Sequence, residues 1–459
     1  MSLTVIAFWI TYVSGTCAAL FHPIAGIALY ILVYHLNPET QWWGDSVRAL
    51  GLRTSFVVAA ATGLGMLIRQ SPSVRGARQF QAPFVLAICF GLLALGSLVW
   101  GVDLSERGTY LAEKFIKTLV ILFILIRCVR TPLHYHAVIL AWLVGLAYLG
   151  YEATGGAGLV ERGRLTAGLG GPDFSDSSGL AVHMVSSLPL IGAVFFMART
   201  WWGRIFALLT GALVVNTVIA TRTRNVLIGL GVMAFSGVLS LPRGYRLKGF
   251  AAVIVGALLS LRLADPGWWE RMATVFAYQQ DASATARFVL WKAAFQMASD
   301  YPFGIGLGNY HQMVMDYVAD LNVVRSAHNT VIACLAELGW PGLFVFLLIL
   351  GISLHRLKNL RHLARQWPDY TEIQLYRWKA RFHLGWHAMA LRTSLLGYLA
   401  CSLFTTRLFT EDLWLMLGFA MCLANVSKSI AADEAAAGAA VNSQVGPNVL
   451  ACAPCAPVP

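Results

Sequence analysis

The stretch that decides the fold is HNTVIACLAELGWPGLFVFLLILGISL, residues 328–354. Glu337 is its one acidic or basic residue apart from the histidine that opens it. A helix rises about 1.5 Å per residue, so an apolar run of this length can cross the roughly 30 Å hydrocarbon layer of a bilayer. The stretch therefore predicts a transmembrane helix. Gly339 and Pro341 predict a break inside it.

The rest of the chain repeats this pattern. Of 459 residues, 58% are hydrophobic and 12% are Asp, Glu, Lys or Arg, whereas soluble domains usually carry about 25% charged residues. Mean hydropathy is +0.65. We therefore expect an all-α polytopic membrane protein with about 12–13 transmembrane helices. The apolar runs that predict them lie at 4–21, 23–37, 54–69, 82–100, 115–132, 135–152, 178–198, 203–221, 223–241, 248–263, 328–354, 384–404 and 410–427.

The net charge of +12 does not indicate nucleic-acid binding, because the basic residues form short clusters in alternate loops between the apolar runs. An excess of Lys and Arg marks cytoplasmic loops. We expect a multi-pass protein of the bacterial inner membrane, with the long segment 264–327 partly helical and periplasmic. The basic residues assigned to the cytoplasmic side are Arg69, Arg75, Arg78, Arg127, Arg130, Arg199, Arg204, Arg243, Arg246, Lys248, Arg356, Lys358, Arg361, Arg365, Arg377, Lys379 and Arg381.

The chain divides into three regions. Residues 1–132 are N-terminal transmembrane helices, residues 133–429 form a core that includes 264–327, and residues 430–459, rich in Ala, Pro and Ser, are expected to be a disordered cytoplasmic tail. The tail holds a CxxC pair, Cys452 and Cys455, but no second pair completes a zinc site. No metal or cofactor is expected.

Charged groups at helix ends on the predicted periplasmic side are the first candidates for function, because charge is costly there. Arg222 and Arg224 lie in a tight turn, Arg287 on the helix predicted in the outer segment, and Arg325 and His328 at the mouth of the span quoted above. Arginine binds phosphate oxygens through a planar fork, and histidine titrates near neutral pH as a general base should. The alternatives are arginines that reach lipid headgroups and a histidine that caps its helix.

Other polar groups have structural interpretations. Asp173 or Asp176, with the serines beside them, could bind a sugar, but a cap on the helix from about 178 is favoured. Glu337 lies roughly 13 Å beyond His328 along the helix, so we expect it to brace the break at Gly339 rather than reach headgroup chemistry. Lys114 is expected to be a lipid anchor. GxGxG at 304–308 is interpreted as a glycine-rich turn, because no strand precedes it.

Four parts of the chain resemble one family. They are HLNPETQWWG (35–44), GGPDFSDSSGLAVHMVSSLPL (170–190), TRTRNVLIGL (221–230), and residues 270–310 (from ERMATVFAYQQ to GIGLGNY) followed by SAHNTVIACLAELGWPG. In this order they resemble the O-antigen ligase and polymerase superfamily. The nearest likeness is to its exosortase-associated O-glycosylation ligase-like branch.

The resemblance implies an inverting, metal-independent glycosyltransferase with a periplasmic site. Its donor would be a glycan on a polyprenyl (undecaprenyl) pyrophosphate carrier, and its acceptor a hydroxyl of lipid A core, a protein or another polymer. The family's essential residues correspond to Arg224, Arg287 and His328. Residues expected to contact the pyrophosphate or the glycan are Arg222, Arg325, Asn329, Tyr310 and Asp176.

Three alternatives remain open. A polymerase that extends the carrier-linked glycan would share the site and differ in its acceptor. A transporter or flippase would use the arginines as an anion path, but it predicts charge at mid-span and two related halves, and the sequence has neither. A structural subunit of an envelope assembly would survive the loss of His328.

Overall fold

The computed structural model describes residues 3–68, 80–161, 163–167, 169–273, 282–318, 326–363, 371–375 and 378–444. Arg325, Cys452 and Cys455 therefore lie outside the described residues, as do five of the basic residues assigned to the cytoplasmic side: Arg69, Arg75, Arg78, Arg365 and Arg377. The helices are α1 Leu3–Phe21, α2 Pro23–Leu36, α3 Asp45–Ala49, α4 Thr54–Ile68, α5 Ala82–Trp100, α6 Glu106–Cys128, α7 Pro132–Thr154, α8 Ser177–Ser186, α9 Leu188–Met197, α10 Trp201–Thr221, α11 Asn225–Ser240, α12 Arg246–Arg262, α13 Pro266–Ala273, α14 Ala282–Asp300, α15 Tyr310–Tyr317, α16 Thr330–Leu363, α17 Leu384–Ser402 and α18 Glu411–Gln444.

Strands form two small antiparallel hairpins within the described residues. Strand β1, Leu159–Glu161, pairs with β2, Arg164–Ala167, and β3, Thr371–Leu375, pairs with β4, Trp378–Phe382. In the second hairpin Thr371 lies opposite Phe382. Each hairpin lies in a connection between helices and contributes a buried side chain to the core, Leu165 from β2 and Phe382 from β4.

The predicted fold class is confirmed. Each predicted apolar run coincides with a helix, and the run 178–198 is divided between α8 and α9 at Ser187, just before Pro189. Among the described residues, eight helical segments are long and apolar enough to cross a membrane. Large apolar side chains such as Phe235, Leu258 and Phe344 lie on the outer surface, which suits contact with lipid tails better than contact with water.

The core lies where α5, α6, α7, α16, α17 and α18 meet. Its largest buried side chains are aromatic, and the ring of Phe115 lies 4.7 Å from that of Trp414 in an edge-on arrangement. Phe90 contacts both Phe346 and Trp414. Edge-to-face and tilted ring pairs of this kind each contribute about 0.5–1.5 kcal/mol beyond their buried area, so this cluster fixes how the central helices pack.

The predicted break in α16 is confirmed at Gly339, whose φ is +64°. The glycine-rich turn 304–308 packs against it. The backbone amides of Ile305 and Gly306 donate to the carbonyl oxygens of Ala336 and Glu337, at 3.0 and 3.1 Å, and that of Trp340 donates to Pro302 at 3.0 Å. In a membrane an unsatisfied backbone group costs several kcal/mol, so the turn supplies the partners that the broken helix lacks.

Two boundaries differ from expectation. Helix α18 continues to Gln444, into the segment expected to be disordered, because its alanine-rich sequence has high helix propensity. Helix α16 continues to Leu363, beyond the run predicted to end at 354, because its last turns carry basic residues that stabilise a helix C-terminus.

The break generates a prediction. A Cβ at Gly339 would lie 2.3 Å from the Pro302 oxygen, whereas a Cβ at Gly351, in the same helix, has open space. Gly339→Ala should destabilise the protein by more than the about 1–2 kcal/mol that left-handed backbone costs. Gly351→Ala should be neutral or stabilising by up to about 1 kcal/mol. Thermal unfolding of both variants in detergent checks this, and equal melting temperatures would contradict it.

Candidate active site

A cavity of about 250 Å³ opens at the end of the bundle where α6, α8 and α18 begin and where α15 approaches α16. We call it the charged cavity, because residues of both signs line it. Its ionisable lining residues are Arg107, Tyr110, Lys114, Asp173, Asp176, Tyr310, His311, Glu337 and Arg407. The segment 264–327 contributes Tyr310 and His311, so the cavity lies at the end predicted to be periplasmic.

Arg407 anchors the loop between α17 and α18. Its side chain is 3% exposed and donates hydrogen bonds to the Asp412 carboxylate at 2.8 Å and to the Asp173 carbonyl at 2.6 Å. The Tyr398 hydroxyl accepts a further bond from its Nε at 3.2 Å. A buried charge requires such partners, since uncompensated burial costs several kcal/mol. Arg407 therefore holds one wall of the cavity rigidly.

The carboxylate of Asp173 lies next to Arg407 in the lining of the cavity. It pairs with Lys114 and accepts hydrogen bonds from the Tyr34 hydroxyl at 3.1 Å and the backbone amide of Glu411 at 2.9 Å. The expectation that Lys114 is a lipid anchor is therefore wrong, because a buried carboxylate next to it offers a better partner than a headgroup.

The polar network extends into the bundle through His183. Its Nδ1 lies 3.4 Å from the Asp412 carboxylate, and its Nε2 lies 3.1 Å from Nε2 of His35. Both rings are completely buried and pack around Trp142. Helices α2, α8 and α18 are thus fixed to one another directly beneath the cavity.

Glu337 lies in the wall of the charged cavity and is nearly buried. Backbone amides of Gly308 and Tyr310 donate to its carboxylate, and its carbonyl accepts from Gly306. The predicted bracing of the break is therefore present. The expectation that Glu337 lies too deep to reach the site is wrong, because the glycine turn folds down to its level. Tyr310 lines the same cavity, and its hydroxyl donates to the Leu290 carbonyl at 2.8 Å.

Two histidines lie beside one another at this end. Burial, Arg107 and His328 together lower the pKa of His311 from 6.5 to about 4, so its ring is neutral at pH 7. His328 follows two residues that line the cavity, Ser326 and Ala327. It is exposed and has a φ of +47°. Such backbone costs of the order of 1–3 kcal/mol in a non-glycine residue and is concentrated at functional sites.

Two of the predicted site residues cap helices. The carboxamide oxygen of Asn329 accepts from the amides of Val331 and Ile332, at 2.9 and 3.1 Å. Asp176 accepts from the amides of Ser178 and Gly179, both at 2.8 Å, which confirms the favoured interpretation. Asp176 also lines the charged cavity. Asn329 is buried at the start of α16, so its contact with substrate stays a prediction.

Four arginines surround the turn between α10 and α11, and we call Arg164, Arg222, Arg224 and Arg271 the arginine cluster. Arg222 has a φ of +47° and pairs with Asp265, and its carbonyl accepts from Arg271 at 2.9 Å. Burial, Arg271 and Arg224 lower the pKa of Arg164. The charge of Arg164 is therefore close enough to those of Arg271 and Arg224 to be repelled by them.

Asp176 and Ser177 connect the cluster to the cavity. Arg164 donates to the Ser177 hydroxyl at 2.6 Å, directly beside Asp176, and the Thr223 hydroxyl donates to the Ser177 carbonyl at 3.4 Å. Arg287 is half-buried on α14, one turn before the Leu290 carbonyl that holds Tyr310. The structure therefore places the predicted residues that it describes around one end of the bundle.

Sequence reasoning missed Arg407 and Asp412 as parts of this site. A signal existed, because RLFTED (407–412) carries three charges between two apolar runs, and charge at a helix mouth indicates function. It was overlooked because it lies within a short connection.

The fold and these clusters define a multi-pass membrane protein with a charged site where its helices end. A family model described as O-antigen ligase matches residues 206–347, a range that contains Arg222, Arg224, Arg287, His328 and Glu337. This match confirms the predicted resemblance to the O-antigen ligase superfamily over these residues. Together with the apolar helices it supports a multi-pass bacterial membrane protein with a function of the ligase or polymerase type, for which the family implies lipid-linked glycan substrates. The exosortase-associated branch stays a prediction. Among curated proteins, no match to the chain was found.

Arg407 generates a stability prediction. Arg407→Met leaves Asp412 buried without its cation, which should cost about 3–5 kcal/mol. Adding Asp412→Asn removes the stranded charge, so the double variant should melt above the single one. Arg199→Met is the control, because its pair with Glu372 is exposed and such pairs contribute about 0–1 kcal/mol. A single variant no less stable than the control would contradict the anchoring role.

His311 generates a pH prediction. Its pKa is lower in the folded protein than in the unfolded chain, so below about pH 6.5 the unfolded chain binds the additional proton. This contribution to stability is complete above pH 6.5 and is lost as the pH falls towards 4. Melting temperature should therefore fall more between pH 7 and pH 5 in the wild type than in His311→Gln. Parallel curves would show that His311 does not titrate as described.

Proposed function

We propose that the protein is a glycosyltransferase of the ligase type. It moves a glycan from an undecaprenyl pyrophosphate carrier to an acceptor hydroxyl at the periplasmic face of the inner membrane. The observation that carries this proposal is the joining of the arginine cluster and the charged cavity through Asp176 and Ser177. One half suits a pyrophosphate, and the other suits a polar acceptor.

The arginines act on the donor. Arg222, Arg224 and Arg287, with Arg325 as a predicted fourth contact, bind pyrophosphate oxygens and stabilise the negative charge that develops as the carrier leaves. Arg222 already occupies a fixed position, because its guanidinium lies between Gly163 and Gly267, where a Cβ would approach it to within 2.9 and 2.4 Å. A preorganised cation of this kind requires little rearrangement during the reaction.

His328 acts on the acceptor. The acceptor oxygen attacks the anomeric carbon, the bond from that carbon to the pyrophosphate oxygen breaks, and its electron pair leaves with the carrier. His328 takes the proton of the acceptor hydroxyl. A single displacement inverts the anomeric centre, and no step requires a metal. Tyr310, Asn329 and Asp176 are assigned to glycan contacts.

Backbone geometry supports these assignments. The described residues include three non-glycine positions with positive φ, and two of them are Arg222 and His328. A fold retains such conformations where the surrounding structure enforces them, and they occur preferentially at active sites.

The test uses purified protein in nanodiscs, a polyprenyl-pyrophosphate oligosaccharide, and a membrane extract as acceptor source. Wild type should release the glycan from the carrier onto a new acceptor. His328→Ala and Arg287→Ala should lose at least about 100-fold in rate, as expected for loss of general-base or electrostatic catalysis. Arg262→Ala, an exposed arginine at the same end of the bundle, should retain activity.

A second reaction without the membrane extract separates the alternatives. A ligase leaves the donor unchanged, whereas a polymerase produces longer glycans on the carrier. Equal rates in wild type, His328→Ala and Arg287→Ala would reject the proposed site. Glycan movement across proteoliposomes without bond cleavage would identify a transporter instead.

A further inference from the structure

A second cavity lies at the opposite end of the bundle. Its volume is about 190 Å³. Helix α6 runs from one cavity to the other, because Arg107 lines the charged cavity and Arg127 lines this one. At about 1.5 Å per residue, these two positions are about 30 Å apart along the helix. We call it the basic pocket. Its lining residues are Phe21, His22, Pro23, Ile24, Met66, Arg127, Cys128, Arg130 and His134.

The polar groups of this pocket are cationic or neutral donors. Within the described part of the chain, Nη1 of Arg127 and Nδ1 of His134 are buried without a hydrogen-bond partner. Arg130 is 6% exposed, and its Nε donates to the Arg127 carbonyl at 2.8 Å. Burial and the charge of Arg127 lower the pKa of Arg130. Two guanidiniums held together in a partly dry site favour an anion between them.

One uncapped helix N-terminus also lines the pocket. Helix α2 begins at Pro23 after His22, which provides no side-chain cap. The first turn of α7 contributes His134, and Thr131 caps that helix. The N-terminus of a helix carries about half a positive charge and binds phosphate well. Of the described residues that line the pocket, none is Asp or Glu, so its charged side chains have one sign.

The size of the basic pocket and its apolar walls restrict the kind of ligand that it can bind. Pockets that enclose drug-sized molecules measure about 300–1,000 Å³, so this one suits a single anionic group. Ile24 and Met66 form an apolar side, and Phe21 is 62% exposed at the rim. We propose that the basic pocket binds a phosphate group, and that an anionic phospholipid supplies it from the cytoplasmic leaflet.

The experiment measures lipid binding by full-length, delipidated protein in neutral detergent. Phosphatidylglycerol should raise the melting temperature of the wild type, because a ligand of the folded state stabilises it. Phosphatidylcholine, whose phosphate is neutralised by its own headgroup, should not. Arg127→Gln and Arg130→Gln should each weaken phosphatidylglycerol binding at least about tenfold. Arg130→Lys, which keeps the charge, should recover part of it.

Arg243→Gln is the matched control, because Arg243 is an exposed arginine at the same end of the bundle. It should bind as the wild type does. If Arg243→Gln weakened phosphatidylglycerol binding as much as the pocket variants do, the binding would be a general attraction to the basic surface. That result would overturn the proposal. If inorganic phosphate raised the melting temperature as much as phosphatidylglycerol does, and the same variants lost this rise, the phosphate site would be confirmed. Its ligand would then be a soluble anion and not a lipid. No rise with either probe would reject the site.

Discussion

The constraint on which the structure depends is that backbone polar groups inside a bilayer need partners within the protein. Helix α16 breaks at Gly339 in its apolar course, and the turn 302–306 provides the missing hydrogen bonds. This repair works only with glycines, because a Cβ at Gly304 would lie 2.4 Å from the Glu337 carbonyl. The same contact brings Tyr310 against Glu337. The break therefore creates the floor of the charged cavity.

A buried ionic network fixes the rest of the site. Arg407 and Asp412 lie within one short stretch, whereas the bond from Arg407 to the Asp173 carbonyl spans 234 positions in sequence. Pairs of this kind add little net stability over apolar packing, so their value here lies in geometry. Because Arg407 is held by Asp412, Tyr398 and the Asp173 carbonyl, the loop before α18 is fixed in place, and the cavity that it borders is preorganised for its ligand.

Hydropathy and length were enough to predict the helices, because a bilayer leaves few alternatives for apolar runs. Turn chemistry was enough to predict the break at Gly339 and a cap on α8 by Asp173 or Asp176, and the structure assigns it to Asp176. Prediction failed where contacts join distant segments. Lys114 looked like a lipid anchor since nothing near it in sequence indicates Asp173. Glu337 looked too deep because its position was estimated from the distance along α16 alone. That distance does not take into account the glycine-rich turn 304–308, which packs against α16 at the level of Glu337. The positive φ of His328 has no sequence signature at all.

The two halves of the candidate site differ in electrostatic character, and this difference bears on how substrates would be divided between them. The charged cavity sets Arg107, Lys114 and Arg407 against Asp173, Asp176 and Glu337, so its charges nearly balance. The arginine cluster has an evident excess of positive charge, with Asp265 as its paired carboxylate. A dianionic pyrophosphate is stabilised more by the positive charge of the arginine cluster, whereas a sugar hydroxyl is stabilised more by the alternating donors and acceptors of the charged cavity. His328 lies on the cavity side, beside His311, where a proton from the acceptor would be released. Donor and acceptor would thus approach from opposite sides of Asp176.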